Sequence, residues 1–497
     1  MPDRSPLPLP PPISATRRRW ILAATMMAMF MAAVESTIVS TAMPTIVAEL
    51  GGFHLLSWVF AAYLLTQAVT IPIYGRLADL YGRKGMLLAG SGIFLAGSLL
   101  CGFARDMPSL ILFRALQGLG AGAIMPVATT IIGDLYPPAE RGRVQGYLSS
   151  IWGISAVIGP LLGAFLVQNV GWATVFWVNL PIGGAAAALL AATFRENHPA
   201  HPHRIDYLGS VLLIGGSGMF ILALIQAQEL GGAIVALLVV AALIFLFLLI
   251  RHERRIAEPM MPLDLWRHRI ITAVNLGSLA IGAVMMATVV FLPTYVQGVM
   301  GRSALIAGFA LTAMSLGWPL GSTVAGRLLA RASYRQLAAV CGGALIAGSL
   351  LLAALDPARG PLWAGISAFL TGIGMGFGNT TFVIAAQASV GRSQRGIATS
   401  MTLFMRMLGQ AVGAGLFGGI LNIGLSRRLP GAGDVVERLM EPVQRLRLAP
   451  DALARLSGAV AQALHEVYLV AVVLAVVALG LAWLVPKRIG SWHARSD

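Results

Sequence analysis

Arg141–Val167 reads RGRVQGYLSSIWGISAVIGPLLGAFLV, and Arg395–Leu421 reads RGIATSMTLFMRMLGQAVGAGLFGGIL. Each opens on Arg-Gly and then runs apolar for the roughly 20 residues that a bilayer-spanning helix needs. Laid in one register, 254 residues apart, Arg141-Gly142 falls on Arg395-Gly396 and Gly159 falls on Gly413. The same offset places Gly118, Gly120 and Gly122 on Gly372, Gly374 and Gly376. A weaker echo, 251 residues apart, relates Gly75-Arg76-Leu77 to Gly326-Arg327-Leu328. Glycine-rich apolar helices align by chance, but a shared Arg-Gly and a glycine ladder in a single register argue for an internal repeat. Parallel halves of this kind are one of the known plans of transporters, with the binding site between them near the midplane.

The rest of the chain has the same character. Of 497 residues, 57% are apolar or aromatic and 11% are charged, with a mean hydropathy of +0.80. Soluble domains carry about 25% charge, so there is too little polar surface here for several soluble domains. Breaking the sequence at charges, prolines and glycine clusters gives fourteen spans, near 20–43, 55–75, 86–104, 108–132, 144–168, 172–193, 207–227, 232–250, 270–297, 304–326, 336–355, 361–388, 397–423 and 466–485. The expected fold is all-α and polytopic: two six-helix bundles with two inserted helices. Residues 1–19 are expected as a disordered, Pro-rich cytoplasmic tail and 20–194 as the first bundle. Residues 195–268 hold the inserted pair, 269–485 form the second bundle with a long external loop at 425–463, and 486–497 are a second tail. That loop carries Val435, Val436, Leu439, Met440 and Val443 at helical spacing, which suits either surface-lying amphipathic helices or a partly ordered loop.

The net charge of +15 would suggest nucleic acid, but the basic residues are scattered between apolar runs and form no aromatic-interleaved face. They set orientation instead. With the N-terminus inside, the short external loops hold only Arg105, Arg302 and Arg359, so the positive-inside bias places both termini in the cytoplasm. The first apolar run is preceded by Arg17–Arg19 but is too long for the h-region of a cleavable signal, and more spans follow it. Cys101 and Cys341 both sit in apolar runs, read as packing rather than a disulfide framework.

Five motifs occur in order. The loop after span two is Gly75-Arg76-Leu77-Ala78-Asp79-Leu80-Tyr81-Gly82-Arg83-Lys84. Span four has Arg114-x-x-Gln117-Gly118-x-Gly120, and span five has Gly159-Pro160-Leu161-Leu162-Gly163. Span six has Trp172-x-x-x-Phe176-x-x-Asn179, and span one has Glu35-Ser36-Thr37. Together these resemble the major facilitator superfamily, and within it the fourteen-helix drug:proton antiporters. The resemblance implies a secondary exporter with no cofactor, driven by the proton gradient, in the inner (plasma) membrane. It implies that Asp79 latches the halves through the helix beginning near Gly396, with Gly75 and Gly82 in the same loop, and that Arg83 pairs with Asp134. It also implies that Gly159, Pro160 and Gly163 form a hinge typical of exporters, although glycines for close packing and a proline bend serve structure equally well. Two positions depart from the family pattern: Leu80, where arginine is common, and Ala164, where glycine is.

Ionisable residues inside a membrane are costly and functional by default. Glu35 is the one acid well inside a span, at a depth matching Arg114, so an ion pair is expected. It serves either as a proton switch, whose protonation releases Arg114 and alters the contact between the halves, or as a static structural pair. Arg406, near the middle of span thirteen, has Trp152 as its repeat counterpart; backbone carbonyls, Gln410 or Glu35 are its candidate partners, and it either binds cargo or braces the helix. Tyr63, Gln67, Trp152, Asn275, Phe291, Tyr295 and Gln410 are further cavity candidates; methionines 26, 27, 29, 31, 285, 286, 401 and 405 either line the cavity or face lipid and neighbouring helices. The expected partners are the lipid bilayer, protons and small lipophilic, mostly cationic drugs; export of one specific metabolite, peptide or siderophore is the alternative, and a periplasmic adaptor stays open. A membrane-embedded enzyme or a channel is the alternative of another class: the spans hold no metal-ligand cluster and no phosphate-binding GxxxxGK[ST] loop, which weighs against an enzyme or ATP drive, and the repeat with its glycine–proline hinges suits alternating access better than a channel. All eight histidines are expected at span ends or in loops.

Overall fold

The computed structural model describes residues 14–50, 55–196, 206–225, 231–256, 259, 262–302, 304–429, 439 and 448–486. Fourteen long helices cross the molecule among them. The first bundle holds α1 (Ala15–Leu50), α2 (Leu56–Tyr81), α3 (Arg83–Cys101), α4 (Met107–Leu135), α5 (Pro138–Asn169) and α6 (Thr174–Trp177 continued by Asn179–Thr193). The inserted pair is α7 (Tyr207–Ile225) and α8 (Gly232–Glu253). The second bundle holds α9 (Arg269–Val289, prolonged by short turns to Val299), α10 (Ala304–Leu328), α11 (Tyr334–Ala353), α12 (Pro361–Ala388), α13 (Arg395–Arg428) and α14 (Pro450–Ala482). Thirteen are long and apolar enough to cross a membrane by length and composition, and α10, 25 residues long, is the fourteenth.

The repeat reappears as packing. In the first bundle α4 packs on α2 and α3, and α1 on α5; in the second, α12 packs on α10 and α11, and α9 on α13. The halves meet along α2 with α13 and α5 with α10. Under the repeat these are the same contact made twice. Gly75 lies against Gly396 and Ser400, while Gly142 lies against Gly326 backbone to backbone. A Cβ at any of these glycines would run into the opposing chain, which is why the Arg-Gly register holds in both halves. The likeness stops at charge, because Asp79 has Ala330 as its counterpart at the same 251-residue offset.

The inserted helices cover one side of this junction. Gly218 and Ile221 of α7 meet Val69, Ala68 and Ile71 of α2, and Leu224 meets Gly415 of α13. The α8 helix stays largely exposed on its outer face. At one end the pair is tied by Asp206, whose carboxylate caps α7 through the Gly209 amide and lies 2.7 Å from His252 Nε2.

Both ends of the described chain lie on one side, called the terminal side below. There Arg17 donates to the Thr193 carbonyl and Arg335 to that of Val485. Several boundaries differ from expectation. The α1 helix starts at Ala15, inside the expected tail, because the Ser14 hydroxyl accepts the Arg17 amide as an N-cap. Its 36 residues amount to roughly 54 Å at 1.5 Å per residue, so it projects beyond the roughly 30 Å apolar core of a bilayer. The loop expected at 425–463 contracts, because α13 runs to Arg428 and α14 starts at Pro450, a residue suited to a first helical turn. Arg428 pairs with Glu466 at 2.6 Å, so these charges belong to protruding helices rather than to a loop. His465 is consequently mid-helix, against the expectation for histidines. Leu439 is buried in the second bundle's core; Val435, Val436, Met440 and Val443, the first thirteen residues and residues 487–497 lie outside the described residues.

Candidate functional site

Glu35 and Arg114 meet as their depths suggested. Arg114 Nη1 lies 2.5 Å from Glu35 Oε1, and the side chains are 0% and 2% exposed for Glu35 and Arg114. Three neutral residues complete the cluster. Asn179 Nδ2 donates to Glu35 Oε2 at 2.5 Å, the Gln117 Oε1 accepts from Arg114 at 2.5 Å, and Gln117 Nε2 donates to Ser98 Oγ at 2.7 Å. Arg114 also lies over the Tyr63 ring, 4.1 Å from its centroid, and its Nε reaches the Val59 carbonyl at 3.4 Å. The cluster thus joins α1, α2, α3, α4 and α6, all of the first bundle. The pair joins the two helices expected to hold it, spans one and four. An ion pair this enclosed persists because every oxygen of the carboxylate has a donor.

A second cluster closes the terminal side. Asp79 accepts from the Gly396 and Ile397 amides at 3.0 and 2.9 Å, two of the free N–H groups in the first turn of α13. Arg83 bridges Asp79 at 3.0 Å and Asp134 at 3.1 Å, and donates to the Arg392 carbonyl at 2.7 Å. Arg395 reaches Asp134 at 2.9 Å from the other half. Gly82 joins α2 to α3 at φ 98°, a conformation that favours glycine, and so lets Arg83 turn back onto Asp79. Leu80 is buried beside the latch.

On α5, Gly159 lets Thr37 of α1 approach its backbone, and Thr37 Oγ1 donates to the Ser155 carbonyl at 3.1 Å. Gly163 is buried, and the helix runs unbroken through 160, whose side chain lies outside the described residues.

Between the halves, Ser149 and Ser322 share a hydrogen bond at 2.7 Å, and Gln387 donates to the Thr129 carbonyl at 3.3 Å. Trp152 and Trp318 lie parallel, 3° apart with centroids 6.4 Å apart, one from each bundle. They border a narrow internal space shared with Met29, Met125, Asn379 and Val383. Arg406 adjoins it: Nη1 donates to Asn379 Oδ1 at 2.7 Å, and the guanidinium sits 5.5 Å from the Trp318 ring. Neither Gln410 nor Glu35 is its partner. Gln410 contacts the sulfur of Met285 at 3.3 Å.

Other cavity candidates lie elsewhere. Tyr295 is fully buried toward the opposite side, with its hydroxyl on the Leu355 carbonyl and its ring near His465 and Tyr468; Phe291 packs on Phe417. Tyr295 fills the junction with α14 and Phe291 the one with α13, because the α9 phase turns them there. Asn275 is enclosed within the second bundle and accepts from Thr402 at 3.1 Å. Tyr63 is covered by Arg114, while Gln67, one turn on, is half-buried. Gln117, Asn179, Ser98 and Asn379 are the residues that sequence reasoning left without a role; the first two stand inside quoted motifs.

The model of the Major Facilitator Superfamily matches residues 25–414. The chain belongs to the major facilitator superfamily. It is 34% identical over 408 residues to Multidrug resistance protein 3 of Bacillus subtilis (strain 168), covering 80% of this chain and 79% of that one. It is also 34% identical over 414 residues to the Multidrug transporter protein MdtP of the same organism, covering 82% and 76%. Among solved structures, the proton:xylose symporter XylE superposes with a TM-score of 0.64 at 13% identity, over 95% of this chain and 97% of that one. As a member of the major facilitator superfamily this chain is a multi-helix membrane transporter and not an enzyme.

Proposed function

We propose that this transporter exports amphipathic, drug-like compounds from the cytoplasm in exchange for protons, by alternating access in the plasma membrane, with the terminal side cytoplasmic. The observation that carries the proton half is the Glu35–Arg114 pair: one deeply enclosed acid and one fixed cation, within a bundle that otherwise keeps charge at its ends. Protonating Glu35 leaves Arg114 without its counter-ion while Gln117 and the Val59 carbonyl still hold it. Arg114 rests on α2, the helix that carries Gly75 and Asp79 at its terminal end, so a shift of the guanidinium bears on the latch through one continuous helix. The glycine and polar contacts named between the halves all lie toward the terminal side. This supports reading the arrangement as closed to the cytoplasm.

The multidrug relatives support drug-like cargo. An acid in the spans draws lipophilic cations, but Glu35 is enclosed and neutralised by Arg114 here, so a cationic cargo would reach it only after that pair opens. The test is transport in proteoliposomes under an imposed pH gradient. Wild type should move dyes only with the gradient and exchange protons for them, and Glu35→Gln should lose the exchange. Equal proton-coupled transport by wild type and Glu35→Gln would refute the assignment.

A further inference from the structure

We infer that the seam beside Arg406 receives an anionic group of the cargo, so that the preferred compounds are planar amphipaths bearing a carboxylate, sulfonate or phosphate; this rests on the exporter reading above. Arg406 is only 9% exposed, near the middle of α13, and no acid pairs with it among the described residues. Its one named hydrogen bond goes to a neutral amide, Asn379, and its Nε has no hydrogen-bond partner. Arg83 and Arg114 are as deeply buried, yet each has a carboxylate within about 3 Å. A buried cation without a counter-ion is costly, and arginine presents a planar fork that matches carboxylate, sulfonate and phosphate oxygens.

The surroundings suit a ligand better than a brace. The neighbouring space is bordered by residues of both halves and holds no acid: Met29, Met125, Trp152, Trp318, Asn379 and Val383. Glu35, the acid that would draw a cation, is shut within the first bundle, so the formal charge at the seam is positive. Trp152 and Trp318 are parallel and come from opposite halves. When the halves part, each offers a flat face, and Trp318 already lies against the guanidinium. A planar ring stacked on an indole would place a substituent acid beside Arg406. Repeat symmetry puts Trp152 and Arg406 at equivalent positions on α5 and α13, so both halves offer a stacking face at the seam and the second half alone adds the charge.

Fluorescein, a planar carboxylate, and ethidium, a planar cation, separate the charge question from shape. Both are to be assayed in proteoliposomes under a pH gradient with wild type, Arg406→Gln and Arg406→Lys. Wild type is expected to transport fluorescein, Arg406→Gln to lower the fluorescein-to-ethidium ratio at least tenfold, and Arg406→Lys to fall between. Equal losses for both dyes would make Arg406 a brace and overturn the inference. Transport of ethidium without fluorescein by wild type would overturn it too, while leaving the exporter reading standing. Failure of wild type to move either dye would overturn both. Where Arg406→Gln is not monodisperse, Arg406→Lys decides: a raised KM for fluorescein with kcat retained is expected, and an unchanged KM overturns the proposal.

Discussion

Removing either member of the buried ion pair should destabilise the protein, but only one of the two losses should depend on pH. In Glu35→Gln, Arg114 stays charged because a guanidinium does not release its proton in proteins. The side chain is 2% exposed, so its charge is left uncompensated, which typically costs about 3–5 kcal/mol at any pH. In Arg114→Leu the stranded carboxyl has an escape, since it can take up a proton. For a carboxyl of ordinary acidity near 4.3, protonation costs about 3.7 kcal/mol at pH 7 and about 1.6 kcal/mol at pH 5.5. The electrostatic penalty of Arg114→Leu should therefore shrink by about 2 kcal/mol between those pH values, while that of Glu35→Gln stays flat. Equilibrium unfolding in mixed detergent micelles, followed by circular dichroism, reads both. The double variant Glu35→Gln/Arg114→Leu should recover at least about 2 kcal/mol relative to the sum of the singles, since it removes both charges together. Additive singles with equal, pH-independent penalties would refute the reasoning.

Asp79→Asn keeps the shape of the latch but removes the charge facing the first turn of α13. A Ser149→Cys/Ser322→Cys pair, whose wild-type hydroxyls are 2.7 Å apart, should then cross-link in lower yield than in the Asp79 background. Gly326→Val puts side-chain atoms into the Gly142 backbone, and the same cross-link should fall further; unchanged yield would show that closure does not need this contact. Asp106 caps α4, and its carboxyl lies below the usual range because the Ser109 hydroxyl and amide bond with it. The stabilisation it gives is present above about pH 4 and lost as pH falls through the lowered value. Asp106→Asn, which keeps an N-cap acceptor, should flatten that acid dependence in thermal unfolding scans.

How legible the molecule was depends on how rare each signal is. Charge in an apolar span is rare, so Glu35 and Arg114 stood out and proved to be neighbours, whereas the Asp79–Arg83–Asp134 set was legible only through the family resemblance of its loop motif. Ser98, Gln117 and Asn179 did not stand out, because neutral polar residues are common in such helices and their hydrogen bonds depend on helix rotation. The same rotation turned Tyr295 and Phe291 elsewhere: within a nearly uniform apolar run nothing in the sequence distinguishes the cavity face from the faces that pack on α13 and α14. Arg427, Arg428, Asp451 and Arg455 were read as part of a loop because they are charged, yet a helix that projects past the bilayer carries charge freely. Asn379 needed the fold itself, since it lies 27 residues from Arg406 on another helix.

The two glycine junctions are geometric twins, but only one carries a carboxylate. A device built by duplication would open evenly if its two seams were equally strong. Here Asp79 fastens α2 to α13, while Ala330 leaves α10 and α5 joined by close packing and the serine pair. Opening on this side is then expected to begin along α5 and α10 and to swing about the fastened edge, like a door hung on one jamb. That edge is also where α7 is seated, so the inserted helices would ride on the pivot and not on the moving margin. Cysteine pairs across each junction should report the order, with accessibility rising first at the unfastened one.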